Sequence, residues 1–179
     1  MRRTPAALAT AALATTAAVT VAAMGAATPA VADGKSDLAQ ARAATAKYHD
    51  IDRALAAGYV QRSPCEQGQG HHYVRDDLAF DAALDPTQPE VLLYAPNASG
   101  KLKLVGVEYV RFYPGMPDPT NPPYQRDPMG PALFGTQFHG PMAGHAPGMP
   151  VHHELHVWLW AHSPEGMFSD HNSRIVCPD

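Results

Sequence analysis

The sequence predicts an α+β domain in which one N-terminal helix packs on a small, mostly antiparallel sheet, with a long Pro/Gly-rich loop. Three observations carry this: a proline-free, Ala-rich stretch at 36–57, short apolar runs between turn residues after Gly58, and ten prolines spread over residues 114–150. A small barrel-like sheet is the variant topology.

Ser36 to Ala57 is rich in Ala, Leu, Gln, Lys and Arg, with Ser36 as the expected N-cap and Gly58 as the C′ residue. The spacing of its apolar positions puts Tyr48, Ile51 and Leu55 on one packing stripe. His71–Val74 reads as a short strand. Val91 to Tyr94, a turn at 96–100 and Leu102 to Phe112 read as a β-hairpin whose second arm is the longest strand candidate. The prolines of 114–150 leave no room for a regular element, and so long a loop is usually functional or wraps the surface. Val151 to Trp160 is ambiguous in period. As a strand it puts Val151, His153, Leu155, Val157 and Leu159 on one face and His152, Glu154, His156, Trp158 and Trp160 on the other; as a helix, Val151, Leu155, Trp158 and Leu159 form a stripe. Its shortness, its two Val and two Trp, and the prolines at 150 and 164 favour the strand.

The chain has 179 residues, is 45% hydrophobic and 17% charged, and carries a net charge of −4. This excludes a membrane transporter, a collagen-like fibre and a basic nucleic-acid binder. Arg2 and Arg3, an uncharged Ala/Val/Leu/Thr stretch and the triplet Ala30-Val31-Ala32 have the layout of a secretory signal over residues 1–32, with a single domain at 33–179. The stretch is too weakly apolar for a bilayer span and lacks a basic stop-transfer flank, so no membrane span is expected after cleavage. Thr4-Pro5 lacks the rest of a twin-arginine signal, which leaves the general secretory path and a secreted or extracytoplasmic protein. The leader contains neither acid nor histidine, so the remaining domain is more acidic and keeps all ten His. Acidity argues against polyanionic partners and leaves cations and small neutral ligands.

Cys65 and Cys177 are the only cysteines. An even count in an exported chain, without any C-x-x-C, reads as one disulfide rather than a thiolate metal site.

Chemistry, if present, is more readily built on imidazole. His152-His153-Glu154-Leu155-His156 is the densest cluster of ligand-type residues, and only superficially resembles the zincin motif H-E-x-x-H, because its acid stands at the third position. On a strand, residues four apart lie about 13 Å apart, so His152 and His156 cannot share an ion, whereas Glu154 with His156, or His152 with Glu154, can at about 7 Å. A third ligand must come from elsewhere. Glu108, expected in an apolar row with Leu102, Leu104, Val110 and Phe112, needs a partner such as His72, Arg111 or a cation. His72, Glu108 and His156 would make a His₂-carboxylate set suited to Zn, Mn, Fe or Cu, with Glu154 adjacent and His145 on a covering loop. Met142, His145 and Met149 form a separate soft set that would select copper. Signatures for nucleophile elbows, phosphate loops and dinucleotide binding are absent.

Several motifs are shared with a family of uncharacterised exported bacterial proteins, which the chain resembles: Thr45 to Tyr59, Gly70-His-His-Tyr-Val74, Pro89-Glu-Val-Leu-Leu-Tyr94, Leu104-Val-Gly-Val-Glu-Tyr109, Leu133-Phe-Gly135, Gly140-Pro-Met-Ala-Gly-His145, Leu155-His-Val-Trp-Leu-Trp160 and Gly166-Met-Phe168. The resemblance implies secretion and a single domain, and no assigned activity. The sequence thus supports binding of a divalent metal or small ligand through His72, Glu108, Glu154 and His156. Two alternatives stand beside it: a metal-dependent enzyme activating water or oxygen, and a structural or interaction protein whose His lie on the surface.

Overall fold

The computed structural model describes Met1 and residues 34–116 and 130–178. Apart from Met1, the expected leader lies outside the described residues, as does the 117–129 part of the expected loop. The described elements are α1 (Gly34–Thr45), a 3₁₀ turn (Ala46–His49), α2 (Ile51–Ala56), β1 (Val60–Gln61), β2 (His71–Val74), α3 (Asp76–Ala79), β3 (Val91–Pro96), β4 (Leu102–Tyr113), β5 (Ala132–Leu133), β6 (Thr136–Gln137), β7 (His139–Met142) and β8 (Val151–Val157). Six strands form one antiparallel sheet in the order β1-β2-β3-β4-β8-β7, and β5 pairs with β6 apart from it. The class is α+β, as the sequence predicts.

The single helix expected over 36–57 is broken. After the 3₁₀ turn, Asp50 adopts an extended conformation and its carboxylate accepts the Asp52 N–H at 3.2 Å, capping a new helix start. Helical structure begins at Gly34, so Ser36 lies inside the first turn and is not the N-cap. The tighter winding of the 3₁₀ turn and the break rotate α2, so that Ala54 is buried where Leu55 was expected, and Leu55 is 50% exposed. Gly58, at φ +93°, ends the segment in the left-handed conformation that favours glycine.

One face of the sheet packs under α1 and α2 through Tyr73, Leu92, Tyr94, Val107, Tyr109, Leu155 and Val157, against Ala41, Tyr48, Ala54 and Tyr59. The buried phenols are satisfied by carbonyls: Tyr94 donates to Tyr48 (2.6 Å), Tyr59 to Pro89 (2.7 Å) and Tyr109 to Pro86 (2.7 Å). The other face carries Val91, Leu93, Val105, Val110 and Trp158, packed with Ala79 of α3 and with Ile175. Cys65 and Cys177 are joined as expected, with Cα atoms 5.7 Å apart, and Gln67 doubles the tie by bonding both the N–H and the carbonyl of Cys177.

Three further differences from the sequence reading matter. Register shifts between Leu93 and Tyr94, where Val105 is the extra residue of a bulge in β4. Leu102 and Leu104 therefore face the helices, while of the expected row only Val110 and Phe112 share the face of Glu108. The strand at 151 is confirmed as a strand but ends at Val157. Trp160 leaves the expected row and lies on the helix side, its ring 4.4 Å from His49 and under the Arg42 guanidinium. Lastly, the proline-rich segment does form short strands: β7 pairs with β8 at the edge of the sheet, where Pro141, with no N–H to donate, is tolerated.

Candidate metal centre

Register builds the site. Across the face opposite the helices, Val74 of β2 pairs with Val91, Val91 with Glu108, and Glu108 with His156. His72, two residues before Val74, and Glu154, two before His156, share that face by the alternation of side chains along a strand. His72 Nε2 is 3.5 Å from Glu108 Oε2, and His156 Nε2 is 3.9 Å from the same oxygen. One ligand atom from each of His72, Glu108 and His156 lies within 4.8 Å of the others. Ligands at tetrahedral zinc distances stand about 3.4 Å apart, so a cation would need to draw the two imidazoles toward Glu108 by no more than about half an ångström.

The polar bookkeeping is unusual. Glu108 and His156 are 3% and 1% exposed, yet among the described residues Glu108 Oε2 and both ring nitrogens of His156 have no hydrogen-bond partner. Buried polar atoms are ordinarily satisfied, and leaving three in one cluster costs several kcal/mol. Arg111, a partner considered for Glu108, instead donates to the carbonyl of Ala82.

Burial, with Glu154 beside it, pushes the Glu108 carboxyl well above the ordinary range. Burial also pushes Glu154 upward, but the hydrogen bond from His152 and the neighbouring imidazoles win and hold it at about 2. His156 is pushed down to about 4, chiefly by burial and partly by His72, against the pull of Glu154; His72 is lowered by burial against the pull of Glu66. Both rings are neutral near pH 7, the state in which imidazole binds a metal.

His72 is further oriented by Ser63. The Ser63 hydroxyl donates to the Pro64 carbonyl at 2.8 Å and is therefore the acceptor for the His72 backbone N–H (3.1 Å) and for Nδ1 (2.9 Å). The ring proton sits on Nδ1, and the Nε2 lone pair is turned toward Glu108. This arrangement opposes a nucleophilic role for Ser63, since the serine receives a proton from the histidine instead of giving one, and it is how proteins aim metal-binding imidazoles.

Glu154 Oε2 lies 3.0 Å from His152 Nε2, while Oε1 is 3.8 Å from His156 Nδ1. His152 and His156 belong to different potential ligand groups, in line with strand geometry. His145 joins His152 and Glu154, and does not join the His72 trio. Its Nε2 lies 3.3 Å from Met142 Sδ, and its backbone N–H points at Met149 Sδ (3.4 Å), so of the soft Met/His set only Met142 meets the ring. The loop covers a cavity of about 450 Å³ with His72, Glu108, Glu154 and His156 in its wall, Val110 and Phe112 beside them, and Arg62 and Glu66 among its polar lining.

Sequence reasoning missed three contributors. Ser63 lies just past β1, and its partner His72 stands nine residues on in β2. Asp170 lies in irregular chain, placed by the bonds of Trp158 to the carbonyls of Met167 and Ser169. His139, on the edge strand, bonds Asp170 Oδ2. His152, His153 and His156 are each no more than 2% exposed, so a purely surface role does not describe them. No family model, curated protein or solved structure matches this chain.

Proposed function

We propose that the protein binds a divalent transition metal through His72, Glu108 and His156 at the wall of the cavity, with Zn, Mn, Fe and Cu as the ions that suit two imidazoles and a carboxylate. The observation that carries this reading is the orphaned state of Glu108 Oε2 and His156 Nε2, buried and directed at the same small space as His72 Nε2. A cation supplies the missing partner to all three atoms. Metal-free protein loaded with each ion in turn gives the test: one of them binds tightly, and His72→Ala or Glu108→Gln lowers its affinity by more than the 10- to 100-fold that losing an outer-shell partner costs. Unchanged affinity in both variants rejects the reading.

Catalysis is the second reading, supported by the cavity beside the trio. An ion with three protein ligands keeps coordination positions for water, oxygen or a small ligand, and Glu66, 3.9 Å from His72, offers a nearby proton acceptor. Hydrolytic or oxidative activity that is lost with a chelator and restored by the bound ion supports an enzyme; tight binding without any such activity supports a binding protein. The disulfide, and the absence among the described residues of a helix able to cross a membrane, are compatible with an extracytoplasmic setting. Membership of an exported bacterial family is supported by the motifs at 70–74, 104–109 and 155–160.

A further inference from the structure

The metal reading uses one nitrogen of His156. Its other nitrogen, Nδ1, is equally buried and equally without a hydrogen-bond partner among the described residues. It faces two carboxylate oxygens, Glu154 Oε1 at 3.8 Å and Asp170 Oδ1 at 4.0 Å. Asp170 Oδ1 is itself buried and unpartnered, and the three ligand atoms lie within 4.8 Å of one another.

Both carboxylates are built alike. Glu154 is held at Oε2 by His152, and Asp170 is held at Oδ2 by His139. In each, a histidine pins one oxygen and the second faces the same ring nitrogen, although the Glu154 carboxyl also meets that of Glu108. Such outer-shell clamps fix the direction of a metal-binding carboxylate. A merely structural pair would instead place Glu154 Oε1 or Asp170 Oδ1 within hydrogen-bond reach of Nδ1, which neither distance allows.

We propose that His156 bridges two cations: one at His72, Glu108 and Nε2, and a second at Glu154, Asp170 and Nδ1. This rests on the first site described above and extends it to a dinuclear centre. The neutral ring carries a single N–H, so coordination at both nitrogens releases that one proton and leaves an imidazolate bridge. With metal–nitrogen bonds of about 2.0 Å on either side of the ring, the ions stand about 6 Å apart. The first ion faces the cavity. The second lies on the side of Asp170, whose Oδ1 is buried although its side chain as a whole is 42% exposed.

The probes are Zn(II) for stoichiometry and Cu(II) for the bridge, on the full chain stripped of metal. Wild type takes up two Zn(II) per chain. Asp170→Asn and His72→Ala each retain one, and His156→Ala retains none; circular dichroism confirms that all are folded, with His156→Gln as the substitute should the alanine variant unfold. In the Cu(II)-loaded wild type, coupling through the imidazolate removes most of the mononuclear paramagnetic resonance signal at low temperature. Each single-site variant restores the signal of one spin per chain. A wild type that binds one ion, lost in His72→Ala and unaffected by Asp170→Asn, overturns the second site and leaves the first. One ion lost in Asp170→Asn and unaffected by His72→Ala overturns the proposed function. Two Cu(II) ions with full, uncoupled signals overturn the bridge, and no bound ion in the wild type overturns both readings.

Discussion

His72 donates its Nδ1 proton to the oxygen of Ser63, 2.9 Å away, while the hydroxyl proton of Ser63 is spent on Pro64. That pair fixes which nitrogen of His72 is free to bind. Ser63→Ala removes the acceptor and lets the ring rotate or change tautomer, so metal affinity falls about 10- to 100-fold. Folding stability changes little by comparison, since Ser63 is only partly buried. Competition titration against a chromophoric chelator, paired with urea unfolding of the metal-free variant, separates the two effects.

Reduction or removal of the Cys65–Cys177 bridge releases a loop with a sequence separation of 112. The chain-entropy model assigns closure of such a loop about 4–5 kcal/mol. A Cys65→Ala/Cys177→Ala variant is expected to lose about that much in urea unfolding, a large share of a typical domain's stability.

Glu90 gives a pH signature independent of the metal ligands. It is 2% exposed, one oxygen accepts the Val110 N–H at 3.2 Å, and burial pushes its carboxyl up to about 8, with Asp81 and Asp85 adding to the rise against its backbone hydrogen bonds. The folded state keeps the proton at pH values where the unfolded chain, near 4.3, has lost it. Stability from this group is therefore present below about pH 4.3 and is lost as pH rises toward 8. Glu90→Gln keeps the acceptor and removes the loss, so the variant gains on wild type by on the order of 3–5 kcal/mol between pH 4 and pH 8. Urea midpoints of metal-free protein across that range measure the gain, and parallel curves would show that Glu90 does not titrate in it.

Gly70 and Gly100 make a matched pair. Both have positive φ, +87° and +77°, but a Cβ on Gly70 meets the Tyr94 carbonyl oxygen at 2.5 Å whereas one on Gly100 meets nothing within 4 Å. Gly100→Ala costs about 1 kcal/mol of backbone strain. Gly70→Ala adds a backbone clash beside His71 and costs clearly more, on the order of 3 kcal/mol. Thermal melts of the two variants give the comparison.

The parts of the molecule legible in the sequence are those governed by local pattern. The hairpin at 91–112, the strand at 71–74 and the extended form of 151–157 follow from alternation, β-branched residues and turn residues. The strand assignment in turn separated His152 from His156 as co-ligands. What the pattern did not reveal depends on chain placement. Ser63 meets His72 only because β1 folds back along β2, Asp170 is located by hydrogen bonds of Trp158, and His139 belongs to a proline-containing edge strand that local rules discount. The helix break at Asp50 was hidden for a related reason. Ala-rich sequence supports a continuous helix equally well, and the packing of Tyr48 and Ala54 beneath the sheet selects the broken one.

The extra residue at Val105 makes the polarity of β4 a matter of counting. Two residues of one strand stand against one of its neighbour there, so everything downstream is displaced by half a pleat relative to Leu102 and Leu104. Removing Val105 alone would make Leu104 and Gly106 consecutive opposite Tyr94 and Leu93, so Leu102 and Leu104 would stay on the helix side and Glu108 on the other. The bulge is thus a spare place in the alternation. One deletion there is absorbed, whereas a second would force a choice between carrying Leu102 and Leu104 out of the helix-side core and carrying Glu108 into it.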